Sequence, residues 1–500
     1  MTTLLWLRND LRLHDHEALA DALAGANAPG GRLVAVFCLD PRGFADTRWG
    51  FAKTGPFRAR FLLESLADLR ASMRARGGDL VVRRGAPADV IPALVREHGV
   101  ASVHLHAEPM REEADDEAAV RAALPAGVAV RLRWGHTLFH VDDLPMPVAE
   151  LPRVFTEWRK RTEARSRVRP EIPTPAALPP PPDGLDAGPI PTVADLGLTP
   201  TEADPRAAIA FAGGETAARA RLDAYLWTGD HLRTYKETRN GLLGADYSTK
   251  FSAWLALGCL SPRHVYWQTQ RYEDERVRND STYWLTFELL WRDYFRFYGL
   301  HHGDRLFHAY GPKGESVEWG VDADALEAWT EGRTGIPFVD AAMREMALTG
   351  YMSNRMRQNA ASFLTKNLSH DWRAGAAWFE HCLVDYDVTS NWGNWAYNAG
   401  VGADPRDRYF NLAVQARQYD PTGAYVRHWV PELAALPDAH IHAPEALPKS
   451  ALQRYDVQLG HTYPHPMLNL DASYDALRGG SARTSASQGR QGRRGSHRNG

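Results

Sequence analysis

Between residues 4 and 135, short apolar runs alternate with longer amphipathic ones. Runs 4–7, 33–39, 80–82, 101–105 and 128–132 are dominated by Leu, Val and Ala and read as strands buried on both faces. Between them, 56–76, 87–98 and 111–124 carry apolar residues at helical spacing, and the first two open on Pro56 and Pro87, where a missing N–H costs nothing. This alternation predicts an α/β domain over residues 1–140, with a parallel five-stranded sheet. Ligands of such sheets sit beyond the carboxyl ends of the strands. The turn after the first run, RNDLRLHD at 8–15, has no G-x-G-x-x-G pattern, so no dinucleotide pyrophosphate is expected there.

The pattern then changes twice. Residues 141–205 carry prolines at 170, 173, 175, 179–182, 189, 191, 200 and 205, which remove donors and block helix propagation, so this stretch reads as an interdomain linker. From 206 to 445 the period is helical almost throughout, predicting a second, all-α domain that holds about two thirds of the 16 tryptophans beyond residue 250. Residues 446–500 read as a C-terminal extension. Its last part, 481–500, has five arginines among Gly, Ser and Gln and no acid, and is expected to be a disordered, solvated tail.

Composition narrows the class without naming a function. Apolar residues make up 44% and charged residues 24%, as in soluble globular chains. A net charge of −3 gives no global attraction to nucleic acid, so any such contact needs a local basic patch. Cys38, Cys259 and Cys382 lack metal-ligand or redox spacing, and each sits in an apolar run, as buried thiols in a reducing cytoplasm do. No metal site is expected. No leader pattern and no 18-residue apolar run is present, so the expected location is cytoplasmic with no membrane span.

The chemistry concentrates in residues 350–397. Asn354, Arg355, Arg357, Gln358, Asp385, Asp387 and Asn391 stand there beside Trp372, Trp378, Trp392 and Trp395 at helical spacing. Buried polar groups need partners, at ~1–3 kcal/mol for each one left unpaired, so this stretch points to a large polar ligand. Upstream, 235–252 (YKETRNGLLGADYSTKFS) leads through glycines into hydroxyls before a helix, a setting that suits phosphate. Ser and Thr cap most helices, so that run alone singles out nothing.

Taken together, 248–262 (STKFSAWLALGCLSP), 288–294 (ELLWRDY) and 350–397 closely resemble the photolyase/cryptochrome family of flavoproteins, in the family's order, within a match covering residues 4 to about 435. The resemblance implies an FAD-binding helical domain. Diphosphate and ribityl contacts would fall on Tyr235, Ser248, Thr249, Lys250, Phe251 and Ser252, and ring contacts on Arg357, Asp385, Asp387 and Asn391. Asp385 beside Arg357 would make a charge-assisted pair. Asn391 would face flavin N5, where a neutral amide favours the reduced, anionic flavin. Trp395, Trp372 and Trp319 match the family's electron-carrying triad. Glu288, Trp291, Arg292, Asn354, Arg355, Gln358 and Tyr397 would line the pocket for a cyclobutane pyrimidine dimer flipped out of DNA. Gln358 and Tyr397 stand where conventional bacterial enzymes carry Met and Trp, which resembles the DASH-type branch; so do residues 240–251 and the RNDLRLHD opening. With less apolar stacking surface, repair would be restricted to single-stranded or looped DNA. Glu112, with Glu113 close behind, is the expected contact of an antenna chromophore, methenyltetrahydrofolate in many relatives. The expected protein is therefore a monomeric, blue-light-dependent deoxyribodipyrimidine photo-lyase. Two other readings stand beside it: a photoreceptor that signals through a partner without repair, and a light-independent flavoprotein oxidoreductase, for which no nicotinamide site is visible.

Overall fold

The computed structural model describes residues 1–478, apart from 28, 203 and 405–407; the Arg-rich 481–500 lies outside the described residues. Strands β1 (Thr2–Leu7), β2 (Arg32–Leu39), β3 (Leu80–Arg84), β4 (Val100–His106) and β5 (Ala129–Arg133) form one parallel sheet in the order β3-β2-β1-β4-β5. These are the five predicted runs. Helices α1 (Glu17–Ala26), α2 (Pro56–Arg74), α3 (Pro87–His98) and α4 (Arg111–Ala123) connect them. Of these, α1 was not anticipated: half of EALADALAGA is alanine, so its apolar face, Ala18, Leu19, Ala22, Leu23 and Ala26, has little contrast with the rest. One face of the sheet packs on α3 and α4 through Ile91, Leu94, Val95 and Val120. The other face is continuous with the core of the helical half.

Residues 141–205 are more structured than their prolines suggest. Helix α5 (Phe155–Arg165) lies in the proline-free stretch 153–169 and buries Phe155, Trp158 and Thr162. Further on, the chain runs along the sheet, where Leu33 N–H donates to Pro180 O (3.2 Å) and Val82 N–H to Ala187 O (2.9 Å).

The helical half contains α6 (Glu215–Asp223), α7 (Tyr235–Thr238), α8 (Ser252–Ala256), α9 (Pro262–Glu275), α10 (Asp280–His302), α11 (Ala323–Thr330), α12 (Pro337–Thr349), α13 (Asn354–Ser362), α14 (Trp372–Cys382) and α15 (Val388–Ala399). Local signals set their ends. Asn279 and Thr282 form a capping box on α10, Ser353 caps α13, Asp387 caps α15, and Gly350 and Gly400 close α12 and α15 in the left-handed region. Residues 446–478 pack onto this half. Tyr463 donates to buried Asp340 (2.6 Å), and Tyr474, 1% exposed, accepts from Leu412 N–H (2.8 Å). Among the described residues, no helix is long and apolar enough to cross a membrane.

The RNDLRLHD turn has a clear task, which is to clasp the two halves. Asp15 takes a two-pronged bond from Arg263 (2.7 and 2.9 Å), and Ser261 Oγ also donates to it. Burial would raise the Asp15 carboxyl, but Arg263, Arg12 and Ser261 together bring it down to about 2. Leu11 N–H donates to Leu257 O (3.0 Å) and Arg12 to Gly258 O (2.9 Å). Gly258, at φ +63°, is obligatory: a Cβ there would stand 2.1 Å from Asn9 O.

Candidate functional site

A cleft of about 400 Å³ opens between the 239–251 loop with α8, the middle of α10, the start of α13 and the α14–α15 loop. A smaller cavity of about 90 Å³, reaching Asn391 and Trp395, shares eight lining residues with it. Arg357 anchors one wall. Its Nη2 donates to Asp385 Oδ2 (2.8 Å) and its Nε to Met352 O (2.9 Å), while Ser252 Oγ donates to the same Asp385 oxygen (2.7 Å). Burial opposes the charge on Arg357, but the facing Asp385 holds its proton affinity above the ordinary value. Asp385 Oδ1 is buried with no partner, so the cleft presents one free carboxylate oxygen to a ligand donor.

Asp387 is spent differently. Its Oδ1 accepts from Ser390 N–H and Thr389 Oγ1 (both 2.8 Å), and its Oδ2 faces Arg296. Burial would raise this carboxyl, yet Arg296 and Arg292 drive it well below the usual range. Arg296 also reaches Glu108 Oε2 (3.3 Å), tying this wall to the α/β domain. Asn391 lies one turn into α15, where its Nδ2 donates to Ala376 O (2.9 Å).

On the opposite wall, Lys250 holds φ +56°, a left-handed conformation rare outside glycine. Its Nζ is buried without a hydrogen-bond partner and lies 3.3 Å above the Tyr247 ring. Burial first, then Arg221, lowers it to about 7. A strained, partnerless cation beside Ser248 and Thr249 suits an anionic ligand. Arg221 of α6 holds this loop by donating to Ala245 O, Ser248 O and Thr249 O at 3.0–3.1 Å and to Asp246 at 2.8 Å. Nothing in the sequence pattern marked Arg221, because its partners lie 24–28 residues away in an irregular loop.

Glu288, Trp291 and Arg292 stand at i, i+3 and i+4 on α10 and share one face toward the cleft. Arg239 pairs with Glu288, whose carboxyl burial nevertheless raises. Trp291 stacks on Phe155 (centroids 3.7 Å, 12°) and meets the Tyr397 ring edge-on at 6.3 Å. The Arg292 guanidinium is committed to backbone, donating to His136 O and Leu255 O. Tyr235, Phe251, Asn354, Gln358 and Tyr397 line the same cleft. Arg355 does not line it: its guanidinium donates to Gln358 Oε1 (2.9 Å) and Asn240 Oδ1 (3.0 Å) and lies over Tyr419.

Of the three expected triad tryptophans, two are buried and one is half-buried. Trp395, 2% exposed, lines the smaller cavity and rests on Gly375, where a Cβ would fall 2.2 Å from its ring. Trp372, three residues before Gly375 on α14, is fully buried. Trp319, half-buried, joins it through a shared acceptor, since the two indole N–H groups both donate to Ala309 O (2.9 and 3.1 Å). The rings in contact with Trp395 are Trp329 and Phe379, at 6.1 and 5.0 Å.

A second cavity, about 670 Å³, lies between the domains and is lined from β2, α4, α14 and α15. Glu112 is on its wall, exposed and paired with Lys53. Glu113 faces it with a buried, partnerless Oε2, and burial pushes that carboxyl up to about 7. Asp10, His16 and His106 come close enough to suggest a metal, but hydrogen bonds account for three of the four ring nitrogens, all but His16 Nε2. His16 Nδ1 accepts from Leu19 N–H and His106 Nε2 from Ala18 N–H, leaving one ring N–H on each to face Asp10 Oδ2 at 3.3 and 2.8 Å.

Comparison with known proteins agrees with this geometry. Residues 3–181 match the DNA photolyase family model and 284–479 match the FAD binding domain of DNA photolyase. A cryptochrome DASH of Gloeobacter violaceus is 56% identical over 94% of this chain and 93% of its own length, and one of Danio rerio is 49% identical over 98% and 95%. The crystal structure of the Synechocystis sp. PCC6803 cryptochrome superposes with a TM-score of 0.91 at 50% identity, over 95% of this chain and 98% of that one. A class III photolyase from Agrobacterium tumefaciens gives 0.81 at 30% identity over the same shares. An α/β domain joined to a helical FAD-binding domain, with relatives at half or more identity over nearly the whole length, places this chain in the photolyase/cryptochrome family, among the DASH cryptochromes.

Proposed function

We propose that this protein splits cyclobutane pyrimidine dimers in single-stranded or looped DNA, driven by blue or near-ultraviolet light. One observation carries the reading: a single cleft is lined both by the expected flavin contacts, Tyr235, 248–252, Arg357, Asp385 and Asp387, and by the expected lesion contacts, Glu288, Trp291, Asn354, Gln358 and Tyr397. Bound FAD would supply the light-absorbing one-electron donor. The free Asp385 oxygen suits a ring N–H, and the partnerless Lys250 suits the diphosphate. Asn391, whose Nδ2 already donates to Ala376 O, would turn the rest of its amide to the ring edge.

Trp291, braced by Phe155, gives the flipped-out base a rigid stacking face. Glu288 is held by Arg239 and raised by burial, so it can hydrogen-bond or protonate a lesion that gains negative charge. Flipping costs a few kcal/mol from a duplex and least where pairing is absent. Gln358 and Tyr397 offer little apolar surface to offset that cost, which supports the single-strand preference. Trp395, Trp372 and Trp319 would return the flavin to its reduced state in light. In the interdomain cavity, the partnerless oxygen of Glu113, with Glu112 at the rim, supports a folate-type antenna. The test is illumination of reduced protein with a dimer-containing oligonucleotide, single-stranded and duplex side by side. Repair of the single strand well ahead of the duplex is expected. Equal repair would overturn the single-strand restriction, and repair of neither would favour the photoreceptor.

A further inference from the structure

Trp372 is in ring contact with an indole outside the expected triad. Trp392 meets it edge-on with ring centroids 5.6 Å apart, closer than any other tryptophan pair in ring contact among the described residues. Trp392 is half-buried on the wall of the interdomain cavity, against Phe307 at 4.9 Å. Its Nε1–H donates to Tyr386 Oη (3.3 Å). Glu380, 6% exposed, lines the same cavity as Tyr386, and its Oε1 has no hydrogen-bond partner and lies 4.0 Å from Arg58 Nη1. Burial raises the Glu380 carboxyl, and Arg58, Lys53 and the Tyr386 hydroxyl act against that rise. Arg58 lies over the Tyr386 ring at 4.4 Å.

The contrast with the other two indoles is chemical. Trp372 and Trp319 both donate to the Ala309 carbonyl, which cannot take up a proton, so an indole oxidised there keeps its positive charge. Trp392 instead faces a hydroxyl that can accept one proton while passing its own to a carboxylate.

We propose that Trp372 is a branch point, and that Trp392, backed by Tyr386 and Glu380, is a second end of the electron path where the oxidised indole rests as a neutral radical. The inference rests on the flavin reading above. One electron leaves Trp395 for the light-excited oxidised flavin, Trp372 refills Trp395, and Trp392 refills Trp372, so the net loss is one electron from Trp392. Its Nε1 proton moves to Tyr386 Oη as the Tyr386 hydroxyl proton moves to Glu380. One electron and one proton thus leave the indole, and nothing else is consumed.

The experiment is transient absorption and electron paramagnetic resonance on the oxidised flavin-loaded protein. Trp395→Phe is expected to abolish every long-lived indole radical; if it does not, the flavin-to-Trp395 path itself fails, and this inference with it. With that control in place, Trp319→Phe is expected to keep a long-lived neutral indole radical. Adding Trp392→Phe should shorten its lifetime at least tenfold, and adding Glu380→Gln should cut the neutral share at least tenfold in favour of the cation. Equal decay in Trp319→Phe and Trp319→Phe/Trp392→Phe would overturn the branch, and an unchanged neutral share in the Glu380→Gln background would overturn the proton route. Should the double variant fail to hold flavin, the solvent deuterium isotope effect on radical formation in Trp319→Phe decides alone. A clear slowing in D2O is expected, and none would overturn the proposal.

Discussion

Asp385→Asn is the substitution that probes the flavin wall most sharply, because it keeps the shape and removes only the charge and one acceptor. The carboxylate has two loads. Its Oδ2 accepts from Arg357 (2.8 Å) and Ser252 (2.7 Å), and its Oδ1 is the buried oxygen left over for a ligand. In the variant, the amide oxygen can replace Oδ2, so both internal bonds survive, but Arg357 loses its counter-charge inside the protein. The amide N–H2 must then occupy the ligand side, and a donor meets the donor of the flavin ring. Hydrogen bonds to charged groups contribute about 1.5–3 kcal/mol, and exchanging an acceptor for a facing donor forfeits at least that much. At 1.4 kcal/mol per factor of ten, FAD affinity should fall by roughly 10- to 150-fold. The measurement is FAD per chain after gel filtration, followed by fluorescence titration of the flavin-free protein. Thermal unfolding of both flavin-free proteins separates lost binding from lost folding. An Asp385→Asn protein that folds and binds FAD within twofold of the parent would refute the assignment of that oxygen.

Two further expectations follow from other parts of the molecule. The Asp15 carboxyl, held at about 2 against an ordinary 3.8, contributes about 2.5 kcal/mol of stability, at ~1.4 kcal/mol per unit. A depressed acid of this kind stabilises fully above its ordinary value and loses that contribution as pH falls through about 2. Asp15→Asn should therefore lower stability by about 2.5 kcal/mol in urea unfolding at pH 7 and by about half as much at pH 3; a pH-independent gap would contradict the clasp. Trp291→Ala removes the braced stacking face, worth about 1–3 kcal/mol per base, so it should weaken binding of damaged single strands by 5- to 150-fold with FAD content unchanged. Equal affinity for damaged strands in a binding titration would remove Trp291 from the lesion pocket.

What could be read along the chain was what is local. The five strands and the helices opened by Pro56 and Pro87 follow from periodicity, while Glu288, Trp291 and Arg292 come from the family resemblance. Helix α1 escaped because alanine blurs its two faces, and α5 because a strongly charged run hides three buried positions among prolines on either side. Contacts that close over long separations left no trace: the Asp15–Arg263 clasp spans 248 residues, and Arg221 organises a loop by bonding to three of its carbonyls and to Asp246. The same holds for Trp392, which by spacing is one more aromatic on α15 and gains meaning only from the Trp372 ring across the helix pair. Arg355 and Arg292 show the converse. Both belong to the expected lesion set, yet their guanidinium groups are bonded within the protein.

The central claim is that FAD and a flipped-out pyrimidine dimer share one cleft, and fluorescence of the reduced flavin reports on it directly. Titration with a single-stranded oligonucleotide carrying one dimer should quench that fluorescence, an undamaged strand of equal length should not, and Trp291→Ala should shift the midpoint to higher concentration. A protein that is purified colourless and refuses added FAD, or a flavin signal indifferent to damage in the strand, would contradict the account.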